Sequence, residues 1–250
     1  MRGKESKYGF KTVGDGKQAH ERIVALIKTA IFEKKIKRGE RLPPERALAE
    51  MFNTSRVTVR SAILTLKNYG LIYVKKGSGG GTFVANDVGE GEVSEALRNI
   101  IEWKNIRLQN VIEVRAIIEP EVAYLAASHA SQEDIDKIWA TIKELEHFFE
   151  IKNKFCSSDE NFHRALAEAA KNPLLAVFQA SLIDLLFKFL FNVAWEKKDK
   201  ENILFHHVQV AEKVEAKDPE AARKAMMEHI SDMQRLLSRL SETKVLKWTR

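Results

Sequence analysis

Residues 42–84 read LPPERALAEMFNTSRVTVRSAILTLKNYGLIYVKKGSGGGTFV, and this stretch decides how the first third of the chain folds. Pro44 suits the first turn of a helix over Glu45–Met51, with Ala47, Leu48 and Met51 as its apolar positions. Asn53 and Thr54 break that helix. Ser55 can cap the next one by accepting a bond from an early backbone N–H. The second helix places Val59, Ile63, Leu66 and Tyr69 on its buried face and stops at Gly70. LIYV and TFVA are short β-prone runs on either side of KKGSGGG, so they read as a hairpin. The glycines at 77, 79, 80 and 81 form a loose turn and not a phosphate cradle, because no GK[ST] follows them.

Upstream, Ile23, Leu26, Ile27, Ala30 and Ile31 make one apolar stripe of a helix that starts at Gln18. Its last turn is expected to be basic (Lys34, Lys35, Lys37, Arg38), with Gly39 just beyond. Residues 1–17 read as a flexible tail, 18–86 as a winged helix–turn–helix, and 87–94 (DVGEGEVS) as a linker. After the linker the apolar period is 3.6 throughout, over 95–103, 108–128, 132–152, 155–170, 173–195, 201–216 and 219–240. The expected fold is therefore mostly α: an N-terminal winged helix–turn–helix with a small β-hairpin, then an all-α bundle of six to seven helices over 95–242. Residues 243–250 read as a C-terminal tail.

Charge divides along the same boundary. Residues 1–86 hold 18 Lys+Arg against 7 Asp+Glu; with chain totals of 41 and 35, the remainder holds 23 against 28. A basic first third joined to a mildly acidic remainder suits one domain that meets a polyanion and one that does not. No apolar run reaches the roughly 18 residues of a membrane span. The N-terminus lacks the apolar core of a secretory signal. Cys156 is the single cysteine, which excludes an intramolecular disulfide and a multi-cysteine zinc site. A reducing, cytoplasmic setting with no membrane partner is the expectation.

The chemistry-bearing residues fall in two groups. In the first third, Arg56 and Arg60 are four apart at the start of the second helix of the motif and share a face. A guanidinium there can bond guanine bidentately, and the hydroxyls of Ser55 and Thr58 can bond phosphate. Arg46 either approaches the same backbone or pairs with a carboxylate on its own helix. Lys75-Lys76-Gly77 puts positive charge at the hairpin tip. In the remainder, Asp159 and His163 are four apart, and His207 and His229 lie on two later helices. One carboxylate and three imidazoles suit Zn²⁺, with Mn²⁺, Ni²⁺ or Fe²⁺ as alternatives. On spacing alone, solvated or core-satisfied histidines are the ordinary reading. Trp103, Trp139, Trp195 and the phenylalanines at 178, 187, 189 and 191 read as core, and Cys156 as a small buried residue.

The quoted stretch resembles the winged helix–turn–helix of GntR-family bacterial transcription regulators. The helical remainder is similar to their FadR-type FCD ligand-sensing domain. The resemblance runs from residue 18 to about 240. It implies DNA contacts at Arg46, Ser55, Arg56, Thr58 and Arg60, with wing contacts near Lys76 and Gly77. Val57 departs from the family, which often has Thr there, so that contact is expected to be missing. The resemblance also implies a metal site. Asp159-Glu160-Asn161-Phe162-His163 matches the D-x-x-F-H of metal-binding members, and His207 and His229 lie at the family's spacing eleven residues on either side of Asp218. By the same spacing His206 is set aside in favour of His207.

Arg115 matches an arginine that pairs with an anionic ligand in similar domains; the alternative is a surface pair with Glu119. Asn172 is a second implied ligand contact, or only a turn cap. The reading is a homodimeric repressor that binds palindromic operator DNA under control of a small organic acid at or near the metal. The alternatives are a metal-dependent hydrolase, or a metal-free acyl-CoA-type sensor on the same scaffold.

Overall fold

The computed structural model describes residues 8, 10–14, 18–86, 90–190 and 195–241. The tail at 243–250, Phe191 and parts of the 1–17 and 87–94 segments lie outside them. The chain divides into two compact units, Met1–Glu92 and Val93–Arg250.

The first unit holds α1 (Ala19–Phe32), α2 (Glu45–Phe52), α3 (Arg56–Asn68), β1 (Ile72–Lys75) and β2 (Gly81–Val84). Ile23, Val24, Ile27 and Ala30 of α1 bury against Val59, Ala62, Ile63 and Leu66 of α3 in one cluster. α1 ends before the basic residues expected in its last turn. Lys34 takes the left-handed conformation (φ 58°), the N–H of Ile36 donates back to the Ala30 carbonyl at 3.1 Å, and Ile36 tucks into the core. Lys34, Lys35, Lys37 and Arg38 therefore sit in the connection, not on the helix.

Pro44 is the residue before α2, not its first turn. The buried face of α2 is also shifted by one residue from the expectation: Leu48, Ala49 and Phe52 are buried, whereas Ala47 and Met51 are half-buried. Asn53 closes the helix with φ 51°. Ser55 caps α3 as expected, its Oγ accepting the Thr58 N–H at 3.1 Å. Tyr69 is exposed instead of buried and lies by the Lys28 ammonium.

The hairpin pairs antiparallel, Ile72 with Val84 through Lys75 with Gly81, and Tyr73 stacks on Phe83 across it. The N-terminal segment is not wholly a loose tail. Tyr8 is buried and its hydroxyl donates to Glu40 Oε1 at 3.1 Å; Phe10 bridges Tyr8 and Phe52. The N–H groups of Val13 and Gly14 donate to the Phe52 carbonyl, which the helix leaves unpaired.

The remaining helices are α4 (Glu90–Lys104), α5 (Leu108–His129), α6 (Gln132–His147), α7 (Lys152–Ala169), α8 (Pro173–Leu190), α9 (Lys197–Glu215) and α10 (Pro219–Ser241). α4 begins inside the stretch expected to be linker. Ser131 and Asp134 form a reciprocal cap that starts α6, and Lys171 pairs with the same Asp134 carboxylate at 2.6 Å. α5 packs along α10, α6 along α7, and α9 along α10. Their apolar faces close one core containing Phe155, Phe162, Leu166, Phe187 and Cys156.

Not every aromatic residue expected in the core is there. Trp103 is 87% exposed and Phe178 is exposed. Trp139 and Trp195 are half-buried against the core, and Trp139 Nε1 donates to Glu215 Oε2 at 3.0 Å. Among the described residues no helix is long and apolar enough to cross a membrane.

Replacing Ser55 by Ala should destabilise the first unit by about 1 kcal/mol, because the Thr58 N–H loses its acceptor. Urea unfolding followed by circular dichroism checks this; an unchanged midpoint would mean that the cap contributes nothing to stability.

Candidate DNA-reading head and metal centre

In the first unit, the N-terminal turn of α3 presents Arg56 to solvent, where it makes no ion pair among the described residues. Arg60, one turn on, grips the Glu45 carboxylate with Nε and Nη2, the latter at 2.9 Å; that bond raises the Arg60 pKa. Arg46 Nε pairs with Glu50 at 3.1 Å along α2. These pairs lie in high dielectric and bind weakly, so phosphate or a base edge can replace either carboxylate. The hydroxyls of Ser55 and Thr58 are 2.8 Å apart and bond each other.

Lys76 and Gly77 stand at the exposed hairpin tip, with Gly77 at φ 89°. The tip is tight. The Gly80 N–H donates to the Gly77 carbonyl at 2.8 Å, and a Cβ on Gly80 would come within 2.6 Å of the Lys75 carbonyl. Arg41, which sequence reasoning did not single out, holds the tip by donating to the Gly80 carbonyl.

In the second unit, α7 brings Asp159 and His163, α9 brings His207, and α10 brings His229; all four side chains are buried. One ring nitrogen of each histidine lies within 4.8 Å of the other two. Asp159 Oδ1 joins them, 3.2 Å from His207 Nε2 and 4.0 Å from His163 Nε2. The intervening Phe162 of D-x-x-F-H stacks on the His207 ring at 3.8 Å and fixes its plane.

Asp159 Oδ1, His163 Nδ1, both nitrogens of His207 and His229 Nε2 are buried with no hydrogen-bond partner. The short Asp159–His207 distance is too poorly aligned to be a hydrogen bond. Burial pushes the Asp159 carboxyl up to about 6, against the opposing pull of His163 and Arg115. Burial, aided by neighbouring cationic groups, pushes His207 and His229 well below the ordinary imidazole value. Neutral imidazoles with free lone pairs beside an oxygen donor are the donor set of a divalent transition metal. By this test the four residues fit such an ion.

Arg115 is neither a surface residue nor a free cavity cation. It is 2% exposed and bonds Glu119, itself 1% exposed, through Nε and Nη2. Arg115 Nη2 also reaches His163 Nε2 at 3.4 Å, and Glu119 Oε2 lies 2.8 Å from His163 Nδ1. Burial alone would raise the Glu119 carboxyl, but Arg115 and His163 outweigh it and hold Glu119 well below the usual carboxylate range. Glu119 is the residue that sequence reasoning missed as part of the site. It appeared only as the surface alternative for Arg115, and its i+4 spacing is identical in both cases.

Gln179 Nε2 donates to the His163 carbonyl at 3.0 Å and helps place that residue. Asn172 stands elsewhere. It is exposed, and its Oδ1 accepts the Leu175 N–H at 3.2 Å, so the structure gives it the capping role. His206 bonds Asp232 at 2.7 Å and stays out of the group of three. Glu160, the carboxylate a hydrolytic reading would need as general base, is tied to Arg164 at 2.8 Å.

Residues 19–84 match the family of bacterial regulatory proteins named gntR, and residues 110–232 match the FCD domain. The chain is 31% identical over 227 residues to RmpR of Mycobacterium gastri, described as an HTH-type transcriptional regulator; the match spans 90% of this chain and 81% of that one. This chain belongs to the GntR family. Its FCD domain places it in the FadR-like subfamily.

It is also 27% identical over 248 residues to the Uxu operon transcriptional regulator of Escherichia coli K12, covering 91% and 90% of the two chains. With the E. coli K12 transcriptional repressor NanR it shares 26% identity over 220 residues, covering 87% and 83%. Among solved structures, Streptococcus agalactiae GntR has the same fold: TM-score 0.69, 24% identity, covering 87% of this chain and 99% of that one. The matched families and relatives are transcription regulators, not enzymes. The exposed arginines of α3 lie within the stretch matched to the gntR family, and the buried histidine group lies within the FCD match.

Because Asp159 must give up its proton to ligate, metal affinity should fall as pH drops through about 6. In the metal-free protein two contributions oppose each other. The raised Asp159 carboxyl gives stability that is full below 3.8 and is lost as pH rises through about 6, whereas the lowered His207 and His229 give stability that is lost as pH falls below the ordinary imidazole value. The readout is therefore the gain in melting temperature on adding zinc, which should shrink from pH 7 to pH 5; a gain that is the same at every pH would contradict the assignment.

Proposed function

We propose that this regulator is a homodimeric repressor that binds a near-palindromic operator in the cytoplasm. A small carboxylate metabolite, bound at or beside a divalent metal, would control it. The observation that carries the sensing half is the burial of Asp159, His163, His207 and His229 around one point with donor atoms left unpaired. These four residues would hold the ion, with zinc as the first candidate and manganese, nickel or iron as the others. When bound, the ion would supply a Lewis-acidic position for a carboxylate oxygen.

Arg115 faces His163 and is the one guanidinium buried against this group among the described residues. It would share its second face with the effector carboxylate while Glu119 keeps the first. The effector alters operator affinity only as far as it binds the DNA-bound and free forms differently.

On the DNA side, Arg56 reads a base and Arg60 follows once it exchanges Glu45 for the operator. Ser55, Thr58, Arg46, Lys76 and Gly77 contact the backbone. Fluorescence anisotropy with a duplex selected from a random pool tests this reading. Arg56→Ala should cost about 1–3 kcal/mol on the selected sequence. Lys76→Ala should weaken all sequences alike and lower the salt slope by about one unit. A full-length protein that retards no duplex at low salt would overturn the DNA half.

For the effector, a small carboxylate at one hundred times its Kd should raise stability by roughly 2.7 kcal/mol when metal is present. The same shift after chelation would detach the effector from the ion.

A further inference from the structure

The four buried residues on α3 (Val59, Ala62, Ile63 and Leu66) define one stripe of the helix. At about 100° per residue, Val57 lies almost diametrically opposite the centre of that stripe. It is 76% exposed, on the first turn of the helix, between Arg56 and Arg60. That exposure leaves its two methyl groups largely uncovered by the described residues of this unit. A β-branched apolar side chain on the outward face of a helix contributes little to helix formation, and serine or lysine there would be more soluble.

The first turn of such a helix is the part that enters the major groove. Of the base edges in that groove, only thymine offers an apolar group, its C5 methyl. The nearby Arg56 and Arg60 are longer and polar and suit phosphates and purine edges, whereas the short isopropyl group suits the methyl of a pyrimidine.

We propose that Val57 reads the C5 methyl of one thymine in each operator half-site. This rests on the DNA-binding reading above and adds a base identity to it. Packing of the isopropyl group on the methyl removes both from water without a hydrogen bond. It discriminates thymine from cytosine by that methyl, and it is blind to the ring's polar edge. Where the resemblance expects a hydroxyl, position 57 thus offers the groove an apolar surface.

The experiment uses the full chain and the duplex selected from a random pool. Each thymine of one half-site, and its symmetry mate, is replaced in turn by deoxyuridine, which removes only the methyl. At one position the affinity should fall about fourfold per half-site, the equivalent of roughly 0.8 kcal/mol for a buried methyl-sized group, and about 15-fold when both are replaced. Val57→Ala should bind the thymine duplex more weakly, and it should no longer distinguish thymine from uracil at that position.

Two results would overturn the proposal while leaving DNA binding intact. One is an affinity within twofold for every uracil duplex. The other is a thymine preference of full size retained by Val57→Ala, which would assign the methyl to another residue. Failure of the unsubstituted protein to bind any duplex would overturn the proposal together with the DNA-binding reading, and that result is distinguishable from the other two.

Discussion

A carboxylate oxygen and three imidazoles closed off from water among α7, α9 and α10 destabilise a helical bundle unless something binds them. Each buried, unpaired polar atom costs about 1–3 kcal/mol, and net protein stabilities are only about 5–15 kcal/mol. The second unit carries several such atoms at one point. A core of this size could have been closed with leucine or phenylalanine at the same positions, as it is at Phe155 and Leu166. Holding a divalent ion would ease the conflict, because the carboxylate oxygen and one nitrogen of each imidazole would gain a partner and the carboxylate's charge would be balanced; the second nitrogen of His207 would stay unpaired. At that point Phe162 of α7 stacks on the ring of His207 from α9.

The Arg115–Glu119 pair is the complement of that arrangement. Removing one member of a buried ion pair leaves the other charge alone and typically costs about 3–5 kcal/mol. Here the pair also borders His163: Arg115 Nη2 lies 3.4 Å from Nε2, and Glu119 Oε2 lies 2.8 Å from Nδ1 without making an aligned hydrogen bond. Arg115 thus keeps a positive edge turned towards the group, and His163 would ligate an ion through Nε2 only by giving up that contact. The first unit works on the opposite principle. The side chains proposed to meet DNA are exposed, and the ion pairs of Arg46 and Arg60 are weak enough to exchange for a polyanion.

Much of this was legible in the sequence, for local reasons. The cap at Ser55, the turn glycines and the β-prone runs act within a few residues of themselves, so the head was readable. The i,i+4 spacing puts Asp159 and His163 on one face but is a weak signal by itself; the resemblance, through D-x-x-F-H and the spacing about Asp218, implies all four converging residues. What was not legible depends on neighbours far along the chain. The buried face of α2 moved by one residue because Phe52 meets Phe10 and the core, and Tyr8 folds onto Glu40 across 32 residues of chain. Glu119 could not be placed from its spacing to Arg115, since an exposed i,i+4 pair and a buried one look alike until α5 has neighbours. Trp103 is exposed although its residue type argued for core.

Whether the buried group holds a metal ion is tested most directly by metal analysis of untagged, full-length protein purified without chelator. Asp159→Asn and His207→Ala variants, shown to be folded by circular dichroism, are measured beside it. The unaltered protein should carry close to one divalent ion per chain, and both variants should lose most of it. A folded protein with no bound metal, even after incubation with zinc, would contradict the metal site.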